Sequence, residues 1–183
     1  VEFLFSNITT WGQISQNWIF SEKALNRFPL FGLVETHASQ ASDPDLCARF
    51  GAHGYDAFTT PAMDYPQTGG NHGGEAILTA KHLYAVPIDA QIIERAAHVN
   101  DEPQRWSCVE VRISKVSMVI ITAYLWCGEG LSQRNWAILQ QISALIENFN
   151  IPFVFYADFN LEPAMLWQSG WCQQHHSIML VPN

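Results

Sequence analysis

The stretch Phe153-Val154-Phe155-Tyr156-Ala157-Asp158-Phe159-Asn160 decides how this chain reads. Its first five residues are an unbroken apolar and aromatic run, short enough for a strand and continuous enough for one buried on both faces. The run stops on Asp158 and Asn160, which puts polar side chains where the strand leaves the sheet. Just upstream lies the clearest helix of the sequence, residues 132–149. Ile138, Ile142, Leu145 and Phe149 share one of its faces, Ser132 can cap it, Asn150 ends it and Pro152 cannot continue it.

The same pattern recurs at the other end of the chain. Val1–Phe5 reads as a core strand that ends in Ser6-Asn7. Ile14, Trp18, Leu25 and Phe28 follow at near-helical spacing up to Pro29, and Leu30–Val34 is a second strand that runs directly into Glu35-Thr36-His37. Strand, helix, strand with polar residues at both strand ends predicts an α/β protein with neighbouring parallel or mixed strands. In between, residues 43–50 read as a short helix with Pro44 in its first turn, Ser42 or Asp43 as cap, and Gly51 and Gly54 to end it. Tyr55–Thr60, Glu75–Leu78, Trp106–Ile113 and Lys115–Leu125 read as strands, with Gly69–Gly74 a glycine-rich turn and Ser114-Lys115 a tight one. The tail beyond Pro163 is ambiguous. Without repeats, low-complexity tracts or a linker, residues 1–183 are assigned to one domain.

Composition narrows the function classes. With 48% hydrophobic and only 14% charged residues, the chain can bury a sizeable core and is not disordered. A formal charge of −8 argues against binding nucleic acid through a broad basic face. It does not argue against phosphate chemistry, because a bound divalent cation supplies positive charge locally. Cys47, Cys108, Cys127 and Cys172 form no C-x-x-C pair, and are expected as buried free thiols, with a disulfide as the alternative. No apolar run is long enough to span a membrane. Val1 already reads as strand, so an upstream segment is expected to be missing. Location and oligomeric state are left open, with an intracellular site favoured.

Asn7, Glu35 and the pair Asp158/Asn160 all follow apolar strands. If those strands share one rim, two carboxylates and two amides make an oxygen-rich cluster suited to Mg²⁺ or Mn²⁺ rather than to zinc. Taken singly, each of these residues reads more simply as a turn or cap residue. Their coincidence is what favours the cluster.

These residues fall in motifs that resemble the endonuclease/exonuclease/phosphatase superfamily, the DNase I-like enzymes, with retrotransposon and apurinic-site endonucleases nearest in look. Phe5-Ser6-Asn7-Ile8 with Trp11 is similar to the first strand. Leu33-Val34-Glu35-Thr36-His37 resembles "QET", with Val34 for Gln. Gly73-Gly74-Glu75-Ala76-Ile77-Leu78 resembles "GGvaiL", Ala123-Tyr124-Leu125 the tyrosine strand end, and Tyr156-Ala157-Asp158-Phe159-Asn160 with Pro163 the "GDFN..P" motif, with Ala157 for Gly. The resemblance implies a four-layer α/β sandwich of two packed mixed sheets flanked by helices, incomplete here because the C-terminal strands are absent. It implies a divalent-metal-dependent phosphodiester hydrolase, nuclease-derived, using Mg²⁺ (or Mn²⁺) on a substrate that is most simply DNA. Glu35 would be the main metal ligand, helped by Asn7. Asp158 would position or deprotonate the attacking water, and Asn160 and Tyr124 would contact the phosphate. The family closes its site with a later Ser-Asp-His segment that this chain, ending at Asn183, does not contain. The expectation is therefore an inactive or weak enzyme, with a non-catalytic binding module on the same scaffold as the alternative.

The remaining signals are weaker. His37 and His72 either face the rim or are solvated loop residues. His175 and His176 read as a surface or helix-end pair rather than as a replacement for the missing His. Gly69–Gly74 lacks the Gly-Lys-Ser/Thr of a nucleotide-binding loop. Trp126, just past Tyr124, is a candidate to stack on a base or sugar, while Trp136 and Trp167 are expected in the core or at its rim.

Overall fold

The computed structural model describes residues 2–65 and 70–181. In chain order the elements are β1 (Phe3–Asn7), α1 (Gln13–Ile19), α2 (Glu22–Arg27), β2 (Leu30–Val34), α3 (Asp43–Ala52), β3 (Tyr55–Thr60), β4 (Met63–Tyr65), β5 (Gly70–His72), β6 (Glu75–Ala80), β7 (Tyr84–Val86), α4 (Ala90–Ala97), β8 (Trp106–Ile113), β9 (Val116–Tyr124), α5 (Gln133–Ile146), β10 (Phe153–Asp158), α6 (Pro163–Gln168) and α7 (Trp171–Gln174). They build two four-stranded sheets, β1-β2-β6-β3 and β10-β9-β8-β7, and a small β4-β5 ribbon. Each large sheet has the same plan. One edge pair is parallel (β1 with β2, β10 with β9), and the other two pairings are antiparallel.

Strand periodicity assigns the faces. In β2, Leu30 points into the space between the sheets while Phe31 and Leu33 point to the helices. In β6, Ile77 and Leu78 divide in the same way. Leu30, Ile77, Val109, Val111 and Ile120 fill the layer between the sheets, with Phe3, Phe58 and Tyr156 against them. Outside the first sheet, Phe31, Leu33 and Leu78 join Ile19, Leu46 and Phe50 from α1 and α3. Outside the second, Trp106, Val119 and Ile121 pack with Ile138, Ile142 and Leu145 of α5. Helix, sheet, sheet, helix is the four-layer α/β sandwich expected, and each of these buried aliphatic side chains contributes about 1.5–3 kcal/mol through its removal from water.

Several local expectations change. The Ile14–Phe28 periodicity belongs to two short helices, because Ser21 accepts the Ala24 N–H (3.3 Å) and starts α2 afresh. The face is also different, since Ile14 and Trp18 are 86% and 49% exposed and Ile19 carries the burial. Gly70–His72 is a strand rather than part of a turn, while Gly69 lies outside the described residues. Helix α4, capped by Asp89 on Gln91 N–H, and the two tail helices were not legible. All four cysteines are free thiols. Cys108 and Cys172 are buried, but Cys127 is exposed because it follows the end of β9. Trp167 is exposed as well. Among the described residues no helix is long and apolar enough to cross a membrane.

Candidate active site

The parallel edge pairs of the two sheets finish at a common rim. Asn7 is the last residue of β1 and lies in register with Val34, so Glu35 comes directly beside it. Asp158 is the last residue of β10 and lies in register with Tyr124. Antiparallel neighbours begin where these strands end. Glu75 opens β6 next to β2, and Arg105 precedes β8, its carbonyl accepting the Tyr124 N–H (3.1 Å). Side-chain hydrogen bonds at the rim then tie the sheets together. Asn7 Nδ2 donates to Asp158 Oδ2 (2.9 Å), and Arg105 Nη2 donates to Glu35 Oε1 (3.3 Å).

Backbone geometry at Gly73-Gly74 makes the Glu35 side of the rim possible. Both glycines have positive φ (78° and 89°), and their carbonyls accept the N–H groups of His37 (2.9 Å) and Thr36 (3.0 Å). A Cβ on Gly73 would sit 3.2 Å from Glu75 Oε1 and 3.3 Å from Arg105 Nη2, and one on Gly74 would collide with the Thr36 hydroxyl. Glu35 and His37 themselves adopt φ of 58° and 53°. Non-glycine residues rarely hold this conformation unless their surroundings enforce it.

Arg105 is the centre of the buried half. It is 1% exposed, and its guanidinium carbon lies 4.6 Å from the Tyr124 ring centre and 3.8 Å from that of Trp126. Tyr124 and Trp126 alternate with buried Leu125, so both rings face the same way. Burial lowers the Arg105 pKa, and Glu75 and Glu35 raise it again, so it remains a cation. Glu75 is fully buried, and burial, reinforced by Glu35 and opposed by Arg105, pushes its carboxyl up to about 8. At neutral pH Glu75 is therefore mostly protonated, and the Arg105 charge is matched by Glu35. Neither Arg105 nor Glu75 had a role in the sequence reading. Their signal is a charged residue at the start of an apolar strand, not at its end.

The five residues singled out from the sequence can now be placed. Asn7 and Asp158 touch, and Glu35 follows the strand paired with Asn7. Tyr124 stands among them, its pKa raised by burial, then by Glu35 and Asp158 against the lowering effect of Arg105, so the hydroxyl keeps its proton at neutral pH. Asn160 has φ of 49° and donates Nδ2–H to the Leu125 carbonyl (2.8 Å), which anchors its amide just beyond Asp158. Ala157 sits in regular strand opposite Ala123, so no glycine is required there. His37 reaches the rim, with Nε2 2.8 Å from Glu35 Oε2. Trp126 is stacked by Arg105 (3.8 Å) and Arg134 (3.7 Å). Two guanidiniums at such distances cannot share one face, so they flank the ring, and the base-stacking expectation for Trp126 is set aside. His175 lies elsewhere, bonded to Ser143 (2.7 Å) and packed on Phe153 at the start of β10, about 17 Å of strand from Asp158.

No family model and no curated protein matches the chain. Solved structures do. The human Nocturnin catalytic domain with bound sulfate aligns with a TM-score of 0.58 and 16% identity, over 90% of this chain and 63% of that one. The endonuclease domain of TRAS1, a telomere-specific non-LTR retrotransposon, aligns with a TM-score of 0.64 and 12% identity, over 94% and 71%. D. rerio TDP2 complexed with a single-strand DNA product gives 0.57 and 16%, over 91% and 63%. The chain has the DNase I-like endonuclease/exonuclease/phosphatase fold. It spans a little under two thirds of the Nocturnin and TDP2 chains and somewhat more of TRAS1. On this DNase I-like scaffold, among the described residues, no three His, Cys, Asp or Glu side chains are grouped to hold a metal ion. The oxygen donors the rim offers a cation are the Glu35 carboxylate and Asn7 Oδ1, which already accepts the Thr9 N–H (2.9 Å) through one of its two lone pairs. Oxygen donors of this kind suit a hard divalent cation better than zinc.

Proposed function

We propose that this chain is a divalent-cation-dependent phosphodiester hydrolase of nuclease type, with Mg²⁺ or Mn²⁺ held by Glu35 and Asn7 and with DNA as the substrate. The observation that carries the reading is the bond between Asn7 and Asp158, residues 151 positions apart, made beside Glu35 where both sheets end. Asn7 Oδ1 also accepts the Thr9 N–H (2.9 Å), a local turn contact, but such contacts act within a few residues and give no reason for its Nδ2 to meet Asp158. The fold likeness to a retrotransposon endonuclease domain and to a DNA-complexed TDP2 supports the substrate class.

Each residue has a separate task. Asp158, held by the Asn7 amide, orients a water and accepts its proton. Tyr124, kept protonated, and the anchored Asn160 amide donate to the phosphate oxygens, where negative charge grows. The cation supplies Lewis-acid polarisation of the phosphoryl oxygen when bound. It also answers the electrostatic difficulty of a −8 chain meeting a polyanion. Arg105 keeps Glu35 in place from below. Among the described residues no His–Asp pair stands beside Asp158, and the 183-residue chain is proposed to turn over weakly.

Nicking of supercoiled plasmid DNA by the purified chain in MgCl₂, lost in Asp158→Ala and in Glu35→Gln, is the expected result. Cation-independent nicking, or nicking unaffected by both substitutions, overturns the reading. A non-catalytic module on the same scaffold would show neither nicking nor a Glu35-dependent response of stability to Mg²⁺.

A further inference from the structure

Glu35 has both carboxylate oxygens engaged within the protein. Oε1 meets Arg105 and Oε2 meets His37. The two partners are unlike in their freedom to leave. Arg105 is 1% exposed and stacked against two aromatic rings, whereas the His37 side chain is 30% exposed and its ring centre lies 6.3 Å from that of His72. A cation arriving from solvent therefore reaches Glu35 on the His37 side. The backbone of His37 is fixed, with its N–H on Gly73 O and its carbonyl accepting from Asn71 Nδ2 (3.4 Å). Its ring can still leave by rotation about the Cα–Cβ bond, with no change in the chain.

We propose that His37 is a positioning residue that competes with the divalent cation for Glu35 Oε2, so that the affinity of the site is set by the displacement of this one imidazole. The inference rests on the reading of Glu35 as the metal-ligating carboxylate. A neutral imidazole protonated on Nε2 donates to a carboxylate as a charged one does, so the competition needs no change of charge on His37. Loss of a charge-assisted hydrogen bond to a carboxylate corresponds to about a tenfold change in an equilibrium constant.

The test is a MgCl₂ titration of the whole chain at fixed pH, read as the thermal unfolding midpoint and, separately, as the imidazole ring resonances. His37→Ala is expected to respond at about tenfold lower Mg²⁺ than the unsubstituted chain. His37→Gln, whose amide nitrogen can donate to Oε2 in place of the ring, is expected to restore the original midpoint. Glu35→Gln is expected to abolish the response in every background. Should His37→Ala bind Mg²⁺ no more tightly than the unsubstituted chain, the competition is refuted while the metal site stands. Absence of any Glu35-dependent response in both chains refutes the site and the competition together. If His37→Ala fails to fold, the ring resonances of the unsubstituted chain decide. A His37 shift that follows Mg²⁺ supports displacement, and a ring that stays unchanged while Glu35-dependent binding occurs overturns it.

Discussion

The two sheets are built to one plan and deliver different sets of side chains to the rim they share. In each, a parallel edge pair ends there and an antiparallel neighbour begins there. The first sheet sends Asn7, Glu35 and Glu75, the second Asp158, Tyr124 and Arg105. At the rim Asn7–Asp158 and Glu35–Arg105 join them, and these contacts differ in depth. Glu35–Arg105 has side chains 13% and 1% exposed, whereas Asn7 is exposed and Asp158 half-buried. The buried contact is the structural one, because a charge away from water must keep its partner. The exposed contact leaves its groups within reach of water and of a ligand. Fold stability thus rests more on Glu35–Arg105 than on Asn7–Asp158, while the proposed chemistry draws on Glu35 from the first pair and on both members of the second.

That division can be broken most severely at Arg105. Arg105→Met leaves Glu35 without its buried cation, and the unfolding free energy in urea is expected to fall by about 3–5 kcal/mol. Asp158→Asn should cost much less, and equal losses would show that the two contacts do not differ as described. Glu75 sharpens the comparison through pH. A carboxyl with a folded-state pKa of about 8 stabilises the fold fully below its ordinary value of 4.5. That contribution is lost as pH rises through about 8, with a slope of at most about 1.4 kcal/mol per unit. Urea midpoints measured across this window should decline in the unsubstituted chain and lose most of that slope in Glu75→Gln. Gly74→Ala, at φ of 89° and against the Thr36 hydroxyl, is expected to lower stability by about 1–3 kcal/mol, read from thermal unfolding. Smallest is Asn7→Ala, about 0.5–1.5 kcal/mol. Its expected signature is a higher Mg²⁺ midpoint rather than a lower melting temperature.

Much of the fold was legible where one residue run carried its own signal. Phe153–Asp158, Leu30–Val34 and the Gln133–Ile146 helix needed only periodicity, a cap and a proline. Ser114-Lys115 was legible as a tight turn, and both residues take positive φ between β8 and β9. Helix α4 was hidden although Ile92, Ile93, Ala96 and Ala97 form an apolar face on the core, because its eight residues span barely two turns and are too short a window for a periodicity to stand out. At the rim, Asn7, Glu35, Asp158 and Asn160 were legible as polar residues that follow apolar strands, and Tyr124 only through the family resemblance. Arg105 and Glu75 were missed because they belong to strands running the other way.

The sequence by itself determined the main strands and the α5 helix, an α/β plan with parallel or mixed strands, and which strand ends carry polar oxygens. Those features follow from side-chain patterns within a few residues of one another. Only the tertiary structure decided that Arg105 enters from the second sheet to hold Glu35, that Glu75 lies dry enough to retain its proton, and that His37 occupies the remaining oxygen. Burial and charge pairing depend on which sheets meet face to face, and residues 70 positions apart, such as Glu35 and Arg105, acquire their electrostatics only when that contact forms.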